Sequence, residues 1–227
     1  MNNEFPYMPP LRSTGTRNFA ARSTCSVRGF LFAQFSDQER LRQIIYESHL
    51  ERRVLLTYLA RRDLADIRDQ PPSIEYPSVT GGLRRHTPDF LATLRSGARI
   101  AIAVKPAAAV ERLRFKDELA RIRSAMPPLY ADELWLVTDH DLNDADVRNA
   151  ELLYIAKQTV DPEARTVVRK ILASLQGARS FAKIQAEAGL GDRGWAALIC
   201  AIHDGEGCIE PRRRISPRTL VHPRGDK

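Results

Sequence analysis

The chain has 227 residues, enough for one mid-sized domain and a smaller one, because domains usually contain roughly 100–150 residues. Its 43% hydrophobic and 28% charged residues are typical of a soluble protein with a packed core and exclude wholesale disorder. The net charge of +7 favours a polyanionic partner, with nucleic acid as the leading candidate.

Several functional classes lack their sequence signals. The three cysteines, Cys25, Cys200 and Cys208, form neither an even disulfide set nor a CxxC pair, which predicts reduced thiols. No segment approaches the ~20 apolar residues that cross a membrane, and the start has no signal-peptide pattern. The histidines show no zinc-binding spacing, and no GxxxxGK[ST] loop predicts ATP binding. We therefore expect a cytoplasmic protein without a membrane partner.

The first two segments differ in composition. Residues 1–36 are rich in Arg, Ser and Thr and are interrupted by prolines, which predicts a flexible basic arm that either binds phosphates or is a disordered tail. From Asp37 to Arg62 the apolar residues recur every three to four positions, which predicts one long helix. Glu47 and Glu51, four residues apart, are expected on one line of that helix.

Strands are predicted next. Prolines in IRDQPPSIEYPSV exclude a helix and favour an edge strand, and Gly81-Gly82 turns the chain. The runs 85–94 and 99–106 predict a hairpin, because four residues with turn character join them. In the second run apolar side chains alternate, so positions 103 and 105 are expected on the same side of the sheet.

Helices dominate the remainder. We predict a helix over 107–125, a buried strand over 133–139 and a helix over 144–157. Three short helices, 163–175, 181–188 and 193–204, precede a basic ribbon, which favours a winged helix-turn-helix. The predicted organisation is thus an arm at 1–36, a catalytic domain at 37–160 and a small domain at 161–227.

Polar residues gather around the predicted hairpin. Thr87-Pro88-Asp89-Phe90 lies on its first strand, Val104-Lys105-Pro106 lies on its second, and Glu51 lies on the preceding helix. Hydrolysis of a phosphodiester needs carboxylates that hold a divalent metal ion beside the scissile phosphate. A lysine beside them orients water and stabilises the transition state.

This arrangement resembles the restriction-endonuclease-like nucleases, which carry Pro-Asp on one strand, Glu-x-Lys or Gln-x-Lys on the next, and an upstream helical glutamate. The resemblance implies an α/β fold with a mixed sheet flanked by helices. Four segments in order, YESHLE, RDQPP, HTPDFL and AVKPAAA, are further similar to TnsA, the endonuclease subunit of bacterial heteromeric transposases. This similarity covers roughly residues 28–157.

The TnsA resemblance implies roles for particular residues. Glu51 and Asp89 would bind Mg²⁺, with Mn²⁺ as a substitute, and Lys105 would complete the site. Glu47 is the rival of Glu51, and Gln70 either supports the site or caps a turn. Ala103 departs from the pattern, because its methyl group cannot ligate metal. Either an engineered alanine blocks cutting or the nuclease is naturally weakened, and the otherwise complete site favours the first explanation.

The small domain offers few groups that read bases. Beyond Arg193, its third predicted helix is apolar, and Trp195, Leu198 and Ile202 are expected in its core. The basic residues predicted to contact DNA are Arg84, Arg85, Arg212, Arg213 and Arg214. The TnsA resemblance favours a second role for this domain, the docking of transposition partners.

The resemblance implies a Mg²⁺-dependent enzyme that cuts the non-transferred strands at transposon 5′ ends. A TnsB-like integrase would cut the 3′ ends, and a TnsC-like AAA+ regulator would be a further partner. Two alternatives stay open: a stand-alone repair or restriction nuclease of the same fold, and a non-catalytic DNA-binding scaffold in which Ala103 is native.

Overall fold

The computed structural model describes residues 8–16, 27–35, 38–159 and 161–225. It divides into two compact units. The first contains the described residues of Met1–Tyr58 and Asp63–Asp141, and the second those of Leu59–Arg62 and Leu142–Lys227. The longest helices have 14 residues, and within the described residues no helix is long and apolar enough to cross a bilayer.

The first unit is built from eight strands and three main helices among the described residues. The strands are β1 Gly29–Ala33, β2 Arg42–Tyr46, β3 Leu64–Asp69, β4 Ile74–Pro77, β5 Leu83–His86, β6 Phe90–Leu94, β7 Arg99–Val104 and β8 Glu133–Val137. The helices are α1 His49–Leu59, α2 Ala107–Arg112 and α3 Phe115–Ala125.

The central sheet has four strands in the order β3-β6-β7-β8. The first three are antiparallel to their neighbours, whereas β7 and β8 are parallel, so the sheet is mixed. Ala101, Ala103 and Leu134 from this sheet share an apolar cluster with Phe115 and Leu119 of α3. The predicted fold class, a mixed sheet flanked by helices that is consistent with a restriction-endonuclease-like domain, is confirmed.

The predicted helix over 37–62 is wrong in its first half. Residues 42–46 form β2, which pairs antiparallel with β1 from Tyr46 opposite Gly29 to Arg42 opposite Ala33. The sequence RQIIY alternates buried and partly exposed positions, which suits a strand rather than a helix. The helix begins only at His49, because Ser48 caps it, and Glu47 therefore lies before the helix.

Two other predicted elements are divided. The run 85–94 is split into β5, which pairs with β4, and β6, which pairs with β3 and β7, because Pro88 supplies no backbone donor. The run 107–125 is split into α2 and α3 at Arg114, whose φ of 48° is left-handed. Strand β3 was not predicted as a strand.

Parts of the predicted basic arm are bonded to the first unit. The N–H of Leu11 donates to Leu41 O at 2.7 Å, and the N–H of Thr16 donates to Gln70 O at 3.0 Å. Ser13 Oγ donates to Asp69 Oδ2 at 2.5 Å. Residues 8–16 and 27–35 therefore run along or within the unit instead of forming a free arm, and the rest of the arm lies outside the described residues.

The second unit consists of four helices and three short strands within its described part. These are α4 Asp144–Lys157, α5 Pro162–Ala173, β9 Arg179–Ser180, α6 Phe181–Ala188, α7 Gly191–Asp204, β10 Gly207–Cys208 and β11 Leu220–Pro223. The strands form an antiparallel sheet in the order β10-β11-β9. The sequence pattern places helix α4 in the predicted domain at 37–160. In the structure α4 belongs to this second unit, where it packs against α7.

The core of the second unit is apolar. Leu198 is fully buried in it, and Trp195 and Ile202 pack against it, as expected. Cys200 and Cys208 are free thiols, and Cys25 lies outside the described residues. Three helices followed by a small sheet are the elements of a winged helix-turn-helix, and that assignment stays a prediction.

Candidate active site

Asp89 lies where strands β6 and β7 stop pairing. Their register ends with Phe90 opposite Ile102, and the N–H of Asp89 donates to Ile102 O at 2.8 Å. The proline at 88 has no N–H with which to extend the ladder. Beyond this point the Asp89 side chain joins the two strands as an acceptor, because the N–H of Val104 donates to Asp89 Oδ2 at 2.6 Å. The carboxylate is thereby held between two strand ends.

Glu51 lies in the first turn of α1 and closes a capping box. Its N–H donates to Ser48 Oγ at 3.1 Å, and Ser48 Oγ donates back to Glu51 Oε1 at 2.9 Å. The N–H of Glu47 donates to Glu51 Oε2 at 2.6 Å. Both carboxylate oxygens therefore accept hydrogen bonds at the helix start, which fixes the side chain.

The two carboxylates share one electrostatic environment with Glu47 and Lys105. Burial raises the pKa of Asp89 to about 7, and the charges of Glu51 and Glu47 raise it as well. The N–H of Val104 and the ammonium of Lys105 act in the opposite direction on this pKa. Burial is also the main cause of the raised pKa of Glu51. Burial thus disfavours the charged forms of both carboxyl groups, and a bound cation would stabilise those charged forms.

Lys105 follows directly after β7 and is tied to β8. Its N–H donates to Val137 O at 3.1 Å, so its backbone continues the parallel pairing. Its Nζ lies 4.6 Å from the centroid of the Phe115 ring. The same ring contacts the His86 ring, with centroids 5.8 Å apart. The lysine is therefore fixed at both its backbone and its ammonium group.

Ala103 occupies a packed position on β7. It is 1% exposed, and it shares an apolar cluster with Val110 and Phe115. Phe115 also contacts Lys105, so residues 103 and 105 are both associated with one buried cluster, as expected for alternate residues of a strand. The methyl group offers no oxygen to a metal ion.

Gln70 supports Asp89 through its backbone. Its N–H donates to Asp89 O at 2.9 Å, and its carbonyl accepts from Thr16 N at 3.0 Å and from Thr16 Oγ1 at 3.1 Å. Its φ of 39° is left-handed, which is uncommon for a residue other than glycine. A strained residue is thus held next to the aspartate by bonds on both sides.

The donor chemistry fits a hard divalent cation. Among the described residues no group of three or more His, Cys, Asp or Glu side chains is placed to hold a metal ion. Glu51 and Asp89 supply two carboxylates, and Mg²⁺ is commonly bound by one or two carboxylates together with waters and substrate phosphates. The residues therefore fit Mg²⁺ or Mn²⁺ better than zinc.

The basic residues predicted to contact DNA are exposed. Arg84 and Arg85 lie on β5, and Arg85 Nη2 forms an ion pair with Glu75 at 2.7 Å. In the second unit Arg212, Arg213 and Arg214 lie in an exposed run after α7. All five guanidinium groups have the surface position that a phosphate contact requires.

Arg193, the one polar side chain expected to face a groove, is engaged elsewhere. Its Nε lies 2.5 Å from Asp161 Oδ2, and its Nη2 lies 2.7 Å from Glu163 Oε2. Asp161 also caps α5 by accepting from Ala164 N at 2.9 Å. The start of α7 is therefore joined to the start of α5 by ion pairs.

Two residues at the site were not found by sequence reasoning. Ser48 had a signal, because Ser48-x-x-Glu51 is the capping-box pattern that marks a helix start. Phe115 had none, since an aromatic residue ten positions after Lys105 contacts it only because the chain turns at Arg114.

Comparison with known families gives one match. The protein-family model described as TnsA-like endonuclease N terminal matches residues 61–185, which is more than half of the chain. Asp89, Ala103 and Lys105 lie inside the matched residues and Glu51 lies before them. No curated protein matches the chain. The chain therefore belongs to the TnsA-like endonuclease family, whose members are nucleases that bind DNA and act within a transposase complex.

Proposed function

We propose that this protein cuts the non-transferred strands at the 5′ ends of a transposon, in a reaction that depends on Mg²⁺ or Mn²⁺. The supporting observation is the placement of Asp89, whose carboxylate is held between β6 and β7. The charges of Glu51 and Lys105 both act on the pKa of this carboxyl group. Charged groups gathered at the edge of a sheet are suited to a phosphodiester.

Each residue of the site has a proposed role. Glu51 and Asp89 would hold the divalent ion, and their fixed oxygens would reduce the reorganisation that binding requires. When bound, the ion would neutralise phosphate charge and lower the pKa of water. Lys105 faces the scissile phosphate and stabilises the negative charge that develops on its oxygens.

Ala103 leads us to propose that the chain as it stands cleaves DNA poorly. A glutamine or glutamate at this position would supply a further oxygen, whereas the methyl group supplies none. The packed surroundings of Ala103 also favour a second candidate function, a DNA-binding scaffold without catalysis, because the residue is buried as a member of an apolar cluster.

The partners are proposed from the family. A TnsB-like integrase would cut the 3′ ends and provide specificity for the transposon ends, and a TnsC-like AAA+ regulator would complete the assembly. The exposed arginines Arg84, Arg85, Arg212, Arg213 and Arg214 would bind backbone phosphates, which gives affinity without sequence information. The second unit would dock these partners.

The test is a strand-specific cleavage assay. The full chain and its Ala103→Gln variant are incubated with a TnsB-like partner, transposon-end DNA and Mg²⁺, and the cut positions are mapped on both strands. We expect the variant to cut the non-transferred strand at least tenfold faster than the parent. Lys105→Ala added to the variant should abolish the gain while leaving DNA affinity within about twofold.

Three outcomes would contradict the proposal. Robust cutting of arbitrary DNA by the chain alone would favour a stand-alone nuclease. Absence of cutting in both proteins, with end binding retained, would favour the scaffold. Cutting that persists after Lys105→Ala would remove this lysine from the reaction.

A further inference from the structure

Phe115 forms a platform beneath the ammonium group of Lys105. Phe115 begins α3 and is 4% exposed. The Nζ of Lys105 lies 4.6 Å from the centre of the ring, within the distance at which the negative face of an aromatic ring attracts a cation. The contact joins a residue of the proposed site to a buried aromatic residue of α3.

The ring itself is held in place by its neighbours. The His86 ring packs against it at an interplanar angle of 51°. Val110 and Leu119 belong to the same buried cluster as Phe115, so the aromatic side chain has little room to move. The left-handed residue Arg114, with φ of 48°, turns the chain from α2 into α3 and so determines where Phe115 enters the core.

We infer that Phe115 is a positioning residue that holds the Lys105 ammonium group at the cutting site. This inference rests on the proposed function, because it assigns Lys105 to the reaction. A lysine side chain has four rotatable carbon bonds, and an exposed ammonium would sample many positions. The ring face restricts the ammonium to one side, where its charge reaches the Asp89 carboxylate.

A stepwise weakening of the negative face of the Phe115 ring distinguishes the positioning role of this residue from a contribution of packing alone. In the full chain with Ala103→Gln, Phe115 is replaced by mono-, di- and pentafluorinated phenylalanine, which nearly keep the shape of the ring while weakening its negative face. We expect the single-turnover cutting rate to fall stepwise, by about three- to tenfold in total. DNA affinity should stay constant across the series.

The contact itself is measured without cutting. The chain has six lysines, so [¹³C]lysine labelling gives a spectrum simple enough to assign. We expect the ε-methylene protons of Lys105 to be shifted upfield by the ring current of Phe115, and this shift to be lost in Phe115→Leu. Phe30→Leu is the matched control, because Phe30 is an exposed phenylalanine on β1 and should leave the Lys105 signal unchanged.

Each outcome is decisive. Absence of the ring-current shift would overturn the contact, and equal cutting rates across the fluorinated series would overturn the positioning role while leaving the proposed function intact. Failure of the Ala103→Gln chain with ordinary phenylalanine to cut transposon ends would overturn the proposed function and this inference with it. A stepwise fall in the rate together with the shift supports both.

Discussion

The carboxylate of Asp89 accepts the backbone N–H of Val104 at 2.6 Å, so a side chain continues the pairing of two strands after their backbones separate. An asparagine can accept the same bond through its amide oxygen. Asp89→Asn therefore removes the charge of this group while leaving the link between β6 and β7 in place.

This substitution gives a prediction about stability. Asp89 has a pKa of about 7 in the folded chain and about 3.8 when unfolded, so the unfolded state releases its proton first. The contribution of the Asp89 carboxyl group to folding stability consequently falls as the pH rises from about 4 to 7, and it is constant above pH 7. At pH 8 in EDTA, Asp89→Asn should be more stable by a few kcal/mol at most, since each pKa unit corresponds to about 1.36 kcal/mol.

The measurement is thermal unfolding of both proteins at pH 4.5 and pH 8. The difference in melting temperature should be several degrees at pH 8 and should shrink at pH 4.5. Asp132→Asn is the control, because Asp132 is exposed and also accepts a backbone N–H of β7, that of Arg99 at 2.7 Å. A gain from Asp89→Asn that is equal at both pH values would contradict the explanation.

The cap of α1 gives a second prediction. Ser48→Ala removes the oxygen that accepts from Glu51 N and also removes a donor to the Glu51 carboxylate. We expect a loss of about 1 kcal/mol in chemical denaturation. We also expect weaker Mn²⁺ binding in calorimetry, because the Glu51 side chain becomes less fixed. Ser48→Thr keeps the hydroxyl and should restore both values, and unchanged Mn²⁺ affinity in Ser48→Ala would refute the link.

Gln70 provides a test of backbone support. Gln70→Gly should be tolerated, because glycine adopts the left-handed conformation without strain and keeps the N–H that donates to Asp89. Gln70→Pro should cost more than about 1 kcal/mol, since proline lacks this N–H and fixes φ near −65°. Equal unfolding free energies for the two variants would show that the bond to Asp89 contributes nothing.

A side chain larger than alanine at position 103 should lower the folding stability of the protein. Ala103 is 1% exposed within an apolar cluster, and larger side chains in packed cores typically cost about 1–3 kcal/mol. We expect Ala103→Gln to be less stable than the parent and Ala103→Glu less stable still in metal-free buffer, because a buried charge costs more than a buried amide. Added Mg²⁺ should restore more of the loss in the glutamate variant, and thermal unfolding with and without Mg²⁺ measures this.

The arginines of the second unit should differ in their contribution to DNA binding. Arg193→Ala should leave DNA affinity unchanged, since its guanidinium is already paired with Asp161 and Glu163. Joint replacement of Arg212, Arg213 and Arg214 by alanine should weaken binding and lower the salt dependence. Fluorescence anisotropy at several salt concentrations measures both, and a loss in Arg193→Ala alone would reverse the assignment.

The sequence predicted the strand hairpin that carries Asp89 and Lys105, because alternation and a turn motif are local signals. It also predicted α4 with the bounds that the structure has. The sequence pattern predicts one helix where the structure has β2 and α1, because the apolar residues of RQIIY continue the helical spacing. The capping box at Ser48 is the local signal that separates the two elements. The approach of Phe115 to Lys105 depends on tertiary packing, which no local pattern encodes.

The capping box of α1 has a consequence for how this protein responds to heat. The two carboxylate oxygens of Glu51 accept hydrogen bonds from the N–H of Glu47 and the hydroxyl of Ser48. In the proposed site the same oxygens would bind the cation. In the proposed metal-bound state, fraying of that first helical turn would therefore be coupled to release of the ion. A modest rise in temperature, below that of global unfolding, would then weaken retention of the ion as this turn frays.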